Sequence, residues 1–112
     1  MADSDDVFVY LGGDQRVPEG ATHAVIPSIN FVRGLAFYYR RQLASVIFHD
    51  GVELIEGEAF SDCYFLRGMK LLNVKDIRYR AFLSCFALSD VEFGDRLQRI
   101  GMCAFYRCSS LR

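Results

Sequence analysis

The chain alternates between two hydrophobic rhythms, and that alternation itself repeats. Within residues 44–66, Val46 and Phe48 stand two apart, the period of a strand with one face turned inward. Asp50-Gly51 follows as a turn signal. Val52 and Ile55 mark a second, short extended stretch. Ala59, Cys63 and Leu66 then fall at i, i+4 and i+7, the stripe of one helix face. The period shifts from two to about 3.6 inside one unit. Each unit is therefore expected to hold a strand, a turn, a second extended piece and a short helix.

The same order of positions returns along the chain. Ala-Phe pairs occur at 36–37, 59–60, 81–82 and 104–105, at intervals of 23, 22 and 23 residues. Leu43, Leu66, Leu88 and Leu111 each lie six residues beyond the Phe. Val32, Ile55, Ile77 and Ile100 lie four before the Ala, and Ile29, Val52, Val74 and Leu97 seven before it. Coincidence at so many positions indicates one supersecondary unit stacked on copies of itself. A single unit cannot bury its apolar side, so equivalent strands should pair in parallel about 4.8 Å apart. Each inward Phe should then rest on the Phe of the next layer.

The pattern divides the chain into an acidic disordered tail (1–6), an N-terminal cap strand and turn (7–21) and four units (22–43, 44–66, 67–88 and 89–112). Val7-Phe8-Val9-Tyr10 supplies the cap strand and Gly12-Gly13-Asp14 its turn. A fifth strand would follow Leu111. Val91, Phe93, Ile100 and Phe105 are therefore expected to lack a neighbour on one side. Two expectations follow: an N-terminal fragment of a longer array, or self-association through an uncapped C-terminal end.

Residues 88–111 place Leu88, Val91, Phe93, Leu97, Ile100, Ala104-Phe105, Cys108 and Leu111 in a fixed order. This order resembles the BspA-type leucine-rich repeat, whose unit reads loosely L-x-x-V-x-F/I-x-x-x-V-x-x-I-x-x-x-A-F-x-x-C-x-x-L. The likeness covers about residues 22–112. The first unit departs most, with Arg40 in the Cys slot and Arg33-Gly34-Leu35 for the usual Gly-x-x. The resemblance implies an α/β repeat, a leucine-rich-repeat solenoid. A parallel β-sheet would form one face, and short helices or helical turns the other. It also implies a binding scaffold.

Charge narrows the partners. Thirteen basic residues against fourteen acidic leave a net charge of −1, whereas nucleic-acid binding draws most of its affinity from a basic excess. No apolar run approaches the roughly 20 residues that span a bilayer. The acidic start, Met1 to Asp6, does not read as a secretory signal. A cytoplasmic protein, binding neither membrane nor nucleic acid, is the expectation.

Reactive side chains form no constellation. Cys63, Cys85 and Cys108 share one repeat position, three beyond the Phe, and suit buried thiols in a core. They form a ladder of one per layer, whereas a metal needs several ligands converging. His23 and His49 belong to different units. No nucleophile elbow or phosphate loop occurs, so neither catalysis nor a cofactor is expected. Arg33, Arg40 and Arg41 interleave with Tyr38 and Tyr39, a pattern that can serve single-stranded nucleic acid. With acidic residues balancing the total, a solvated face with long side chains covering apolar surface is the preferred reading.

The strand face turned away from the core remains as the interaction candidate. Alternation turns Val25 outward in the first unit, Ser45, Ile47 and His49 in the second, Lys70 and Leu72 in the third, and Asp90 and Glu92 in the fourth. Neighbouring rungs set Val25 beside Ile47 as a small apolar patch, and Lys70 beside Glu92 as an ion pair. The expected function is a non-catalytic scaffold that binds a protein partner through this face. The alternatives are a self-assembling structural module and an appendage to an enzyme.

Overall fold

Alternating Val, Ile, Met and Phe positions build the first wall of each turn. The computed structural model describes residues 7–111; the expected acidic tail 1–6, and Arg112, lie outside the described residues. Strands β1 (Val7–Val9), β2 (His23–Ile26), β4 (Ser45–Phe48), β6 (Gly68–Leu71) and β8 (Asp90–Phe93) form a five-stranded sheet in that spatial order. Two-residue strands β3 (Phe31–Val32), β5 (Leu54–Ile55), β7 (Asp76–Ile77) and β9 (Arg99–Ile100) form a second, four-stranded sheet. Every pairing is parallel, and like repeat positions meet, as in Val25↔Ile47, Ile55↔Ile77 and Lys70↔Glu92. Parallel neighbours require a long crossover. Here the remainder of one solenoid turn is that crossover.

The third wall corrects the expectation of short helices. Among the described residues there is no helix; residues 34–39, 57–62, 79–84 and 102–107 are runs of turns. Two residues in each run take left-handed φ between 55° and 66°: Leu35 and Tyr39, Glu58 and Asp62, Arg80 and Ser84, Cys103 and Arg107. A left-handed residue rotates its peptide plane out of the helical alignment. Successive N–H groups then point alternately along the turn and along the solenoid axis. Ala59 N–H donates back to Glu56 O at 3.2 Å, while Phe60 N–H donates to Ala81 O of the next layer at 2.8 Å. Ser61 N–H returns to Glu58 O, and Asp62 N–H crosses to Leu83 O at 2.7 Å. Ala59, Cys63 and Leu66 are all buried, so linked turns present the same inward stripe as a helix.

Phenylalanine fills the middle of every layer. The Phe37–Phe60, Phe60–Phe82 and Phe82–Phe105 ring centroids are 4.8, 5.2 and 5.1 Å apart, with planes within 12° of parallel. The column is closed by buried Tyr10, tilted 59° against Phe37 at 5.2 Å. Two arginines tie the chain before β2 to the first layer. Arg33 Nη1 donates to Gly13 O and pairs with Asp14 Oδ1 at 3.0 Å. Arg40 Nε donates to Val17 O at 2.8 Å.

Candidate functional site

The outward positions of the five-stranded sheet are built by alternation. With Val46 and Met69 turned into the core, Ile47 and Lys70 must face out. Ile47 is 66% exposed, although it lies in the middle of the sheet. It borders a groove of about 810 Å³ that spans β4, β6 and β8. Ser45, Ile47, Lys70, Asp90 and Glu92 all line this groove.

The sheet is looser beneath the groove. β2 and β4 are bridged at four residue pairs, and β6 and β8 likewise. β4 and β6 are bridged at Ser45↔Gly68 alone. Beyond that pair, backbone groups of Val46–Phe48 and Met69–Leu71 face one another without forming a ladder. Val46, Phe48 and Met69 border the groove floor while their side chains stay turned toward the core, Val46 and Met69 being buried.

The remaining candidates have other roles. His49 is folded over its own turn. Its Nε2 bonds to Ile29 O and its Nδ1 to Gly51 N–H at 3.2 Å. The carbonyl can only accept and the amide can only donate, so the proton sits on Nε2. Ser45 Oγ is engaged by His23 Nδ1 at 2.7 Å across the β2–β4 pair. Leu72 lies in the turn after β6 and is exposed. Val25 is beside Ile47 in register, half-buried, and does not line the groove. Lys70 and Glu92 are register partners, yet no ion pair within 4.0 Å joins them among the described residues.

The thiol ladder is a bonding ladder. Cys63 Sγ donates to Phe37 O, Cys85 Sγ to Phe60 O and Cys108 Sγ to Phe82 O, at 3.1, 3.1 and 3.0 Å. Each thiol thus serves the Phe carbonyl of the preceding layer. The first unit follows the cap, which offers no such Phe; Arg40 there reaches Val17 O with its longer side chain. Burial pushes the Cys63 thiol up to about 12. The neighbouring Cys108 thiol, together with burial, pushes the Cys85 thiol up as well, and the proximity of Cys85 pushes the Cys108 thiol down. Among the described residues, no group of three or more His, Cys, Asp or Glu is placed to hold a metal ion. No described helix is long and apolar enough to cross a membrane.

Sequence reasoning missed the work of Arg33 and Arg40. Both bond to backbone carbonyls of the cap, where a solvated face was expected. Arg41 does lie over the Tyr39 ring, 5.1 Å from its centroid. In the last described layer Ile100 is 50% exposed where Ile55 and Ile77 are fully buried, and Met102 is 79% exposed.

Residues 26–112 match the BspA type leucine rich repeat region in six copies. A leucine-rich repeat protein from Bacteroides ovatus is similar in structure, with a TM-score of 0.78 and 32% identity, over 82% of this chain and 24% of that one. The T. pallidum leucine-rich repeat protein is similar in fold, with a TM-score of 0.69 and 24% identity, over 99% of this chain and 64% of that one. The chain thus spans about a quarter of the first protein's length and under two thirds of the second's. No curated protein matches the chain.

Proposed function

Because the chain belongs to the BspA-type leucine-rich repeat family, we propose that it acts as a non-catalytic scaffold that binds a protein partner through the outward face of its larger sheet. The observation that carries this reading is the exposure of Ile47, at 66%, on the wall of the groove over β4, β6 and β8. A branched apolar side chain in the middle of a sheet gains most when a partner removes it from water. Half-buried Val25, beside it in register on β2, extends this apolar surface by one residue.

The test is site-directed photocrosslinking. A benzophenone side chain at position 47 is compared with the same group at Arg99, on the smaller sheet. Crosslinks to a protein partner concentrated at position 47 support the reading. Equal labelling at both positions, or labelling at 99 alone, overturns it.

A second reading rests on Ile100 and Met102. Their exposure leaves a face that fits another layer of the same build, supplied by the same chain or by a second copy. Sedimentation velocity across a range of concentrations tests the second-copy form. Growth that Ile100→Lys abolishes supports it, and a concentration-independent monomer overturns it.

A further inference from the structure

We infer that the groove over β4, β6 and β8 takes an extended peptide segment carrying an apolar side chain near a lysine or arginine. The inference rests on the scaffold reading and adds the chemistry of the partner. Its first support is the division of the groove into two ends. Ile47, 66% exposed, makes the β4–β6 end apolar. Asp90 and Glu92, both exposed on β8, make the other end acidic. Lys70 lies between them on β6 and is in no ion pair within 4.0 Å among the described residues.

The second support is distance. Two strand spacings separate β4 from β8, roughly 10 Å at about 4.8 Å each. An extended chain advances about 3.3 Å per residue. Side chains of an extended guest alternate in direction, so an apolar residue over the β4–β6 end and a basic residue over the carboxylates would stand about two or four positions apart, the long basic side chain taking up the difference. The third support is the broken ladder. The backbone N–H and C=O groups of β4 and β6 beyond Ser45↔Gly68 are not bridged, and such groups are rarely left without a partner. A peptide brings amides of its own. A groove of about 810 Å³ is within the usual size of a ligand site, roughly 300–1,000 Å³.

Charge gives the inference a sign that a general sticky surface would not reproduce. Asp90 and Glu92 attract the guest's cation, and Lys70, the register partner of Glu92, opposes it. Neutralising the carboxylates should weaken binding, whereas removing Lys70 should strengthen it.

The experiment uses the whole chain and fluorescein-labelled eight-residue peptides with one Leu or Phe. The peptides carry two Lys, two Glu or no charge, and anisotropy reads the affinity at two salt concentrations. The Lys-bearing peptides are expected to bind, and to weaken with salt. Asp90→Asn with Glu92→Gln should weaken them by about tenfold, and Lys70→Met should tighten them by about threefold. All three positions are exposed, and circular dichroism checks that each variant folds. Equal binding of all three peptide classes, a preference for the acidic ones, or weakening by Lys70→Met overturns the inference. So does the absence of any binding; crosslinks at position 47 persisting alongside that result would leave the scaffold reading standing.

Discussion

Phe60 and Phe82 lie face to face, with centroids 5.2 Å apart and planes 2° from parallel. Parallel strand pairing fixes the layer spacing near 4.8 Å. Like side chains at one repeat position are then held in offset stacks, an arrangement aromatic rings favour. Phe60 has a ring on both sides, at 4.8 and 5.2 Å. Phe105 has its column neighbour on one side and is only half-buried. Phe60→Ala should therefore cost roughly 3–5 kcal/mol, the range for a buried Phe truncated to Ala. Phe105→Ala should cost less than half as much. Urea denaturation of both variants checks the ordering, and equal losses would contradict the stacked column as the centre of stability.

Arg80 should reveal the turn wall. Its φ of 55° places a long L side chain in the left-handed region, at about 1–2 kcal/mol per residue. Glycine removes that strain but adds freedom to the unfolded chain, worth roughly 0.5–1 kcal/mol. Arg80→Gly should therefore be neutral or stabilising by up to about 1 kcal/mol. Arg80→Val places a branched Cβ in the same conformation and should lose about 1–3 kcal/mol. A helix at these residues would give the opposite order, because valine outranks glycine there. Denaturation midpoints for the two variants decide between them.

The repeat interval carried most of the fold. Val46 and Phe48, Ile55 and Phe60 recur at one register, and that register set both the strand pairing and the Phe column. The turn wall was not legible, because Ala59, Cys63 and Leu66 make the same inward stripe in a helix and in linked turns. What distinguishes the two is φ at Glu58 and Asp62; Glu carries no left-handed signal, and Asp, which tolerates that region, is replaced by Tyr39, Ser84 and Arg107 at the same position of the other units. The outward positions of Ile47, Lys70 and Glu92 followed from alternation. The opening beneath them did not, since the single Ser45↔Gly68 bridge has no counterpart in the residue pattern. Arg33 and Arg40 looked like surface charges because their partners, Gly13 O and Val17 O, are backbone atoms that leave no mark in the sequence.

Gly94 marks a close approach of two layers. A Cβ built there would lie 1.8 Å from the Leu72 carbonyl oxygen, so no side chain fits without moving backbone. Gly20 has nothing within 4 Å of the equivalent point. Gly94→Ala should destabilise by about 1–3 kcal/mol, as overpacking does. Gly20→Ala should be neutral, or stabilising by up to about 1 kcal/mol through the unfolded chain. Thermal melts of the pair provide the check. An unchanged melting temperature for Gly94→Ala would mean that β6 and β8 are not held as closely as described.

Cys63 couples stability to alkaline pH. Burial raises its thiol from the ordinary 9.0 to about 12. Below pH 9 the thiol is protonated in both the folded and unfolded chain, and its contribution is fully present. Between pH 9 and about 12 the unfolded chain loses this proton while the folded chain keeps it. Stability therefore falls as pH rises through that window, by up to about 1.4 kcal/mol per pH unit from this group. Cys63→Ala should flatten that part of the profile while losing the bond to Phe37 O. Cys103, exposed and outside the ladder, supplies the internal control. In the folded protein at pH 8, a maleimide should modify Cys103 while Cys63 reacts only at the rate of unfolding. Prompt labelling of Cys63, or an alkaline slope unchanged in Cys63→Ala, would contradict a thiol locked between the layers.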